Sequence, residues 1–391
     1  MKRIPFLITL FSLIISVFPQ QVSEVQAAQA PENNSGAVLC SPDIYLQTPD
    51  DCVPLGPSQY LTDMARMGIE IPIHPLNISH PDPALGELPY NYYKINHTGT
   101  AFYPSIEAAR EKTGASQTLP PTSALLYVVY SQRMDTEKGT YFLLPSGAIM
   151  PGDGETMSPT FTDPAHFPGV EVHATPRNPF GWVFKQTSVR RDPNEMDLNI
   201  PIRELNPYDI VQVYLSENIE GTVWFLIGPD EWVLGGDVAI VTPNPTQPAG
   251  VTNGRWIDVN LEEQTLAVYE NNQMIYATII ATGDEPMFTR PGLFPIYKKM
   301  ELETMQGERG TSNFYYLENV PWTMYFDKAR ALHGAYWRAR LGYPQSHGCV
   351  NMYPGDAHWL FNWAKEGDWV YVHDPSGKTP TDPAFYGDGG A

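Results

Sequence analysis

The sequence is poor in basic residues, and this shortage restricts what the protein can bind. Lys and Arg together number 24 against 44 Asp and Glu, which gives a formal net charge of −20 at pH 7. So acidic a chain argues against nucleic acid or an anionic membrane as a partner. Beyond the N-terminal apolar run from Pro5 to Val17, no stretch approaches the length of a transmembrane helix. The sequence therefore predicts a mature chain without a transmembrane span.

Cysteine is also scarce, with three residues in the whole chain. Cys349 lies far from Cys40 and Cys52, so it has no resolving partner nearby and a redox role is disfavoured. A zinc site made by Cys349, His347 and His333 is conceivable from the residue types. The first two are only two positions apart, however, and no CxxC or HExxH motif accompanies them. We therefore expect neither a metal nor another cofactor.

The first 27 residues have the pattern of a signal peptide. Two basic residues precede the apolar run, and a small-residue cleavage site ends at Ala27. The pattern predicts an exported protein of the cell wall or extracytoplasmic space, with an uncleaved N-terminal anchor as the alternative. Because exported proteins meet an oxidising environment, Cys40 and Cys52 are expected to form a disulfide. That pairing leaves Cys349 as the odd cysteine.

The composition favours a largely β protein. The chain contains 38 prolines and 22 tyrosines, which suits loop-rich β structure better than a helical bundle. From about Tyr92 to Val241, apolar and polar residues alternate between turn signals, as in half-buried antiparallel strands. Residues 124–153 and 210–237 each follow the order strand, glycine turn, strand, turn, strand. We therefore predict two small β modules in this part of the chain.

The C-terminal third is organised around the motif Ser346–Asn351, whose sequence is SHGCVN. Twelve residues separate His333 from Ser346, so a loop or short hairpin can fold the imidazole back onto the sulfur of Cys349. A cysteine beside a histidine is the arrangement used for acyl transfer, in which the thiolate attacks a carbonyl and holds the acyl group as a thioester. Gly348 allows tight backbone curvature, so the amides beside the sulfur can point at a developing oxyanion. A buried, inert cysteine is the alternative.

Strands, one helix and one flap are predicted around this motif. The helix begins at Pro354 and stops at Gly367, and the polar stretch 300–311 is the flap. The strands are Trp256–Leu261, Gln264–Tyr269, Met274–Thr282, Val320–Phe326 and Trp369–Val372.

Four segments resemble the L,D-transpeptidase family, the YkuD-type domain of bacterial peptidoglycan enzymes. They are Trp256–Val259, Thr289–Gly292, His333–Trp337 and Ser346–Asn351. The resemblance covers residues of about 253–373, roughly a third of the chain. It implies a β-sandwich domain with the cysteine in a groove under a flap, and chemistry that needs no metal or nucleotide.

The same resemblance implies roles for individual residues. Cys349 would be the nucleophile, His333 the general base and acid, and Gly334 the carbonyl that orients His333. The backbone at His347 and Gly348 would form the oxyanion hole. The candidate substrate contacts are Ser346, Asn351, Tyr325, Tyr336, Trp337 and Arg338, with core packing as the open alternative for the aromatic residues.

The implied partner is the peptide stem of peptidoglycan, and the implied reaction is transpeptidation. A tetrapeptide stem would donate its L-centre carbonyl to the sulfur, D-alanine would leave, and the side-chain amine of a diamino acid on a second stem would attack the thioester. The product is a cross-link between third residues, a 3-3 cross-link. An L,D-carboxypeptidase, in which water replaces the amine, is one alternative, and a non-catalytic wall-binding protein is the other. We expect a monomer.

Phe180–Val183 and Ser188–Arg190 resemble the opening of bacterial SH3-like domains, and Trp232-Val233 resembles their close. These modules would either space and pack the catalytic unit or recognise wall peptide. The fold class is therefore mainly β, with two small SH3-like modules before an L,D-transpeptidase-like β-sandwich that has a short helix after the cysteine. The predicted order is a signal peptide (1–27), an irregular leader with the Cys40–Cys52 disulfide (28–58), a first SH3-like module (59–160), a second (165–241), a Pro-rich linker (242–252), the catalytic domain (253–373) and a flexible tail (374–391).

Overall fold

The computed structural model describes nine segments of the chain, which divides into two compact units at 1–62 and 63–391. In the first unit it describes only the parallel strands β1 (Leu39–Cys40) and β2 (Val53–Pro54). The predicted signal peptide and Cys52 lie outside the described residues, so the signal peptide and the disulfide stay predictions. In the second unit the described segments are 76–96, 99–119, 125–152, 155–157, 166–193, 201–307 and 314–387.

The N-terminal half of the second unit consists of short strands and one short helix. In chain order they are β3 (Ile78–Ser79), β4 (Asn91–Lys94), β5 (Ala101–Phe102), α1 (Ile106–Glu111), β6 (Gln117–Thr118), β7 (Leu126–Tyr130), β8 (Gln132–Thr136), β9 (Gly139–Leu143), β10 (Ile149–Pro151), β11 (Glu155–Met157), β12 (Val170–Val172), β13 (Phe180–Val183), β14 (Thr187–Val189), β15 (Arg203–Leu205), β16 (Ile210–Gln212), β17 (Leu215–Ile219), β18 (Thr222–Gly228), β19 (Glu231–Leu234) and β20 (Val238–Val241). Short 3-10 turns occupy Pro83–Gly86 and Gly235–Asp237.

The C-terminal half carries longer strands and the second helix. The elements are β21 (Arg255–Asn260), β22 (Thr265–Glu270), β23 (Gln273–Ile279), β24 (Gly292–Pro295), β25 (Lys298–Gly307), β26 (Tyr315–Asp327), β27 (Arg330–Gly334), β28 (Val350–Met352), α2 (Pro354–Trp363) and β29 (Trp369–His373), followed by a 3-10 turn at Pro383–Phe385. The chain is mainly β, as predicted. None of the helices in the described segments has the length and apolar character needed to cross a bilayer.

Two seven-stranded sheets form the C-terminal β-sandwich, which confirms the predicted fold class. One has the order β24-β29-β21-β22-β23-β12-β3, and the other runs β11-β4-β7-β26-β27-β28 with β25 paired to β26. Ile257 and Val268 of the first sheet pack in one core with Leu332 and Val350 of the second. Leu360 on α2 fills the same core. Apolar burial between the layers therefore fixes β27 and β28, the strands that flank the motif.

The first sheet is covered on its other face by the second small module. Trp256, which alternates with Ile257 along β21, packs there in one core with Trp182 and Val241 of β13 and β20. Strands β13 to β20 also enclose a core of their own, which includes Val189, Val211, Phe225 and Val233. Both faces of the sheet are therefore buried, which explains why β22 is apolar almost throughout.

The strands predicted for the first module divide between two sheets. β8, β9 and β10 form a three-stranded antiparallel sheet, and β17, β18 and β19 form a matching one in the second module. The hairpins turn at Gly139 (φ +126°) and Gly221 (φ +85°), where the backbone conformation favours glycine. β7, in contrast, joins the sandwich and pairs in parallel with β26, Leu126 opposite Tyr316. The domain boundaries stay predictions.

Helix α2 starts where the sequence predicts and ends earlier. Pro354 stands in its first turn. The helix ends at Trp363 because Ala364 takes an extended conformation with ψ 148°. Gly367 adopts φ +93° and lies four residues beyond the helix, in the turn that leads to β29. The glycine therefore marks the turn rather than the last helical residue.

Candidate active site

The neighbouring strands β27 and β28 bring His333 and Cys349 to one groove. The strands run in parallel with His333 opposite Asn351. Cys349 directly precedes β28. All three residues line one groove. The structure therefore places the predicted nucleophile and the predicted base together.

The groove has an apolar wall and a polar wall. The apolar side chains are Leu125, Met305, Tyr315, Leu317 and Trp337, and the polar wall is made by His333, Arg338, Ser346, His347, Cys349 and Asn351. Met305 and Tyr315 belong to the β25–β26 hairpin, which runs through the first part of the predicted flap. The remainder of that flap, 308–313, lies outside the described residues. Leu125 comes from far outside the predicted catalytic domain, and no local signal in the sequence points to it.

Hydrogen bonds within the motif hold the loop that carries the sulfur. The hydroxyl of Ser346 donates to the carbonyl oxygen of Cys349 at 2.6 Å and accepts from the amide of Gly348 at 3.1 Å. The hydroxyl of Thr289 donates to the Gly348 carbonyl and accepts from the Gly283 amide, both at 2.9 Å. Gly348 has φ +116°, a conformation that favours glycine. Since the Gly348 amide is bound to Ser346, an oxyanion would have to compete for it.

His333 is almost fully buried, with an exposure of 2 %. Its Nδ1 lies 3.3 Å from the carbonyl oxygen of Gly334, the group predicted to orient the ring. With the proton on Nδ1, the Nε2 atom is the one that can accept another proton. Burial lowers the pKa of His333 to about 4, helped by the positive charge of Arg338 and opposed by the Gly334 bond. The imidazole is therefore neutral at physiological pH, the form required of a base.

Cys349 is also buried, at 6 % exposure. Burial raises the pKa of its thiol to about 11, and a hydrogen bond from the backbone of Ala331 and the charge of Arg330 oppose the rise only in part. The sulfur lies 3.7 Å from the carbonyl oxygen of Ala329. A nearby imidazole or backbone N–H group can lower the pKa of a cysteine thiol, but at Cys349 desolvation is the larger effect.

A cluster of charged residues beneath the motif was not foreseen from the sequence. Arg330 is 4 % exposed, and its Nη1 donates to the Asp327 carboxylate at 3.0 Å. Arg290 donates to both oxygens of the same carboxylate, at 2.8 and 2.5 Å. Two cations thus share one anion, which leaves an excess of positive charge. This charge lies close to Gly348, since a β-carbon placed on that glycine would be 3.2 Å from Nε of Arg330. The charge favours any anion that forms at the sulfur.

Two of the predicted substrate contacts, Tyr336 and Tyr325, are not among the residues that line the groove. Tyr336 is 1 % exposed and stacks on Tyr92 with the ring centroids 3.8 Å apart. Its hydroxyl donates to the carbonyl of Glu318 at 2.7 Å, which favours the core-packing alternative. Tyr325 is half-buried on β26, with its ring centroid 5.3 Å from Nζ of Lys298.

The other predicted contacts line the groove together with the nucleophile. Trp337, Arg338, Ser346 and Asn351 all belong to its lining. The Trp337 ring lies 5.6 Å from that of His333, centroid to centroid. Within the described residues, no group of three His, Cys, Asp or Glu side chains is placed to hold a metal ion, and the expectation of no metal stays a prediction.

Comparisons with known proteins agree with this geometry. Residues 254–372 match the family model of the L,D-transpeptidase catalytic domain, YkuD, which confirms the resemblance seen in the sequence. No curated protein matches the chain in sequence. The SH3-like character of the two small modules stays a prediction.

Several solved structures are similar to part of the chain. The L,D-transpeptidase (Yku) from Stackebrandtia nassauensis is 25 % identical over 35 % of this chain and 63 % of its own, with a TM-score of 0.26. The catalytic domain of an E. faecium L,D-transpeptidase is 27 % identical over 32 % of this chain and all of its own, with a TM-score of 0.29. An L,D-transpeptidase from Mycobacterium smegmatis is 15 % identical over 52 % of this chain and 89 % of its own, with a TM-score of 0.30. This chain thus spans less than two thirds of the first of these proteins.

Proposed function

We propose that this protein is an exported peptidoglycan L,D-transpeptidase that forms 3-3 cross-links through a thioester on Cys349. The observation that carries the proposal is the groove that Cys349 and His333 line together. The family-model match over residues 254–372 supports the reaction type. Both groups are neutral at rest, so the proton must move during the attack on the substrate.

In the first half of the reaction, a donor peptide binds with its scissile carbonyl carbon beside the sulfur. Nε2 of His333 takes the thiol proton as the sulfur attacks, and the electron pair of the carbonyl moves to its oxygen. Backbone amides of the motif and the excess charge of Arg330 and Arg290 over Asp327 favour this oxyanion. When the carbonyl re-forms, the C–N bond breaks and the imidazolium gives its proton to the departing amine. D-alanine leaves, and Cys349 holds the acyl group.

The second half of the reaction uses the same groups in reverse order. The side-chain amine of a diamino acid on a second stem attacks the thioester carbonyl, and neutral His333 takes a proton from that amine. The C–S bond breaks, the imidazolium returns a proton to the sulfur, and a new amide links the two stems. No external energy source is needed, because one amide is exchanged for another.

The reaction can be tested on the full-length secreted protein with a defined tetrapeptide stem. We expect mass spectrometry to show a single acyl adduct on the peptide containing Cys349, and dimers with the release of D-alanine. The Cys349→Ala variant should give neither. Tripeptide without dimer would instead identify a carboxypeptidase. If wild type and Cys349→Ala gave the same products, the wall-binding alternative would stand.

A second variant tests the thiol itself. We expect Cys349→Ser to lose nearly all turnover, because a serine hydroxyl stays protonated beside a lone neutral imidazole. Its fold and donor affinity should be close to those of Cys349→Ala, which serves as the matched control. Turnover comparable to wild type by the serine variant would contradict the thioester route.

A further inference from the structure

Three of the residues that line the groove each carry a buried side-chain N–H group without a hydrogen-bond acceptor. These groups are Nε1 of Trp337, Nε of Arg338 and Nδ2 of Asn351, all of them buried nitrogen atoms within the described residues. A buried donor without a partner is costly, so side chains of folded proteins rarely leave one in this state. All three groups are donors, so a bound group that satisfies them must supply hydrogen-bond acceptors.

Arg338 adds a positive charge to this set. Its Nη1 donates to the side-chain oxygen of Gln345 at 3.0 Å, and its Nη2 donates to the Gln345 backbone carbonyl at 2.6 Å. Both acceptors are neutral amide oxygens, so they leave the charge of the guanidinium uncompensated. The chain as a whole carries a net charge of −20, so the half-buried Arg338 beside the nucleophile is opposite in sign to the overall charge of the protein.

These donors lie close to the reacting groups. The Trp337 ring is 5.6 Å from the His333 ring, and Asn351 is paired directly opposite His333. Asn351 is 1 % exposed, and its backbone N–H and carbonyl oxygen both bond to Ala281, with N···O distances of 2.8 and 3.0 Å. The backbone that carries this side chain is therefore held in place, and a group bound by these donors would lie close to the scissile bond.

We propose that Trp337, Arg338 and Asn351 form a subsite that binds a carboxylate of the acyl donor. This inference rests on the proposed function, since it assumes a peptide donor. A carboxylate offers acceptors only and compensates the charge of Arg338, whose planar fork of N–H groups suits it. Two carboxylates of the donor have the required chemistry. One ends the leaving residue, and the other belongs to the side chain of the diamino acid.

Three donor peptides separate these sources. The first has both carboxylates free, the second has a carboxamide in place of the C-terminal carboxylate, and the third has a carboxamide on the diamino acid. The rate of Cys349 acylation is measured at low donor concentration for full-length wild type, Arg338→Gln and the control Arg340→Gln. Arg340 is an exposed arginine two positions away, which makes it a matched control for charge.

We expect one of the two amidations to slow wild-type acylation by about 10- to 100-fold, the range for a lost charge-assisted hydrogen bond. The amidation that does so identifies the bound carboxylate. With the free-acid donor, Arg338→Gln should be acylated more slowly than wild type by a similar factor. Amidation of the bound carboxylate should slow the acylation of Arg338→Gln only slightly further, while Arg340→Gln should behave as wild type. Arg338→Lys, which keeps the charge, should recover part of the loss.

Other outcomes overturn the subsite. Arg338 also bonds to Gln345, and a purely structural role would make Arg338→Gln slow all three donors equally. If Arg338→Gln does not fold, the wild-type rates alone decide, because equal rates with all three donors exclude a carboxylate subsite. Acylation of Cys349 by every donor at one rate would leave the proposed function intact, whereas acylation by none would refute that function instead.

Discussion

The resting active site should hold a neutral thiol and a neutral imidazole, and alkylation of Cys349 tests this directly. Burial raises the pKa of the thiol to about 11. At pH 7 about one molecule in ten thousand would then carry the thiolate, against about 3 % for free cysteine with a pKa of about 8.5. The thiolate fraction is thus about 300-fold lower. The more basic thiolate is about tenfold more nucleophilic, which leaves alkylation about 30-fold slower than that of free cysteine.

The assay is a pH series with iodoacetamide and the full-length protein, with a short blocked cysteine peptide as the reference thiol. Peptide mass spectrometry follows Cys349 separately from Cys40 and Cys52. The rate should climb continuously from pH 6 to beyond pH 10, since the thiolate fraction grows tenfold per unit up to the pKa. An ion pair of thiolate and imidazolium would instead react quickly at pH 7 and lose its reactivity only below about pH 5. A rate at pH 7 above that of the reference would refute the neutral-pair argument.

Three further substitutions can be tested by measuring the melting temperature and the rate of Cys349 acylation. Gly348→Ala should lose about 1–3 kcal/mol and most activity, because alanine is strained at φ +116°. Thr289→Val should destabilise by about 2 kcal/mol, since it leaves the Gly283 amide and the Gly348 carbonyl without their buried partner; an unchanged melting temperature would contradict either claim. Burial raises the pKa of Asp356 to about 7, so its contribution to stability is complete below about pH 4 and is lost as the pH rises through 7. Asp356→Asn cannot ionise, and its melting temperature relative to wild type should therefore increase from pH 5 to pH 8; a constant difference would show that the carboxyl group does not titrate in this range.

The active-site motif could be predicted because its parts are local in the sequence. His333 and the residues 346–351 lie in two short segments, and parallel pairing of the strands beside them brings them together. Leu125 and Arg330 were missed for different reasons. Leu125 reaches the groove through a strand pairing across about 190 residues, and the burial of Arg330 depends on its bond to Asp327. Neither the strand pairing nor the Arg330–Asp327 bond produces a recognisable pattern in the sequence.

The fold was predictable where alternation is regular. The strands from Arg255 to Ile279 and the last strand, Trp369–His373, lie within a few residues of their predicted positions. The segment 300–311 was predicted to be a flap, and up to Gly307 it forms a long strand paired with β26, which the sequence did not indicate. Nearly all of its side chains are half-buried or exposed, so the apolar signal of a core strand is missing. Local polarity here reflects a solvated face, not irregular structure.

The parallel pairing of β7 with β26 has a practical consequence for fragments of this protein. A recombinant piece cut at the boundary of the family match, residue 254, would lack β7 and leave the main-chain groups of Tyr316 and Leu317 without their hydrogen-bonding strand. It would also lack Leu125 and so open one side of the groove. The unpaired backbone groups of an exposed edge strand can form hydrogen bonds with strands of other chains. Such a fragment should self-associate, and any kinetics measured on it would describe a different cleft from that of the intact protein.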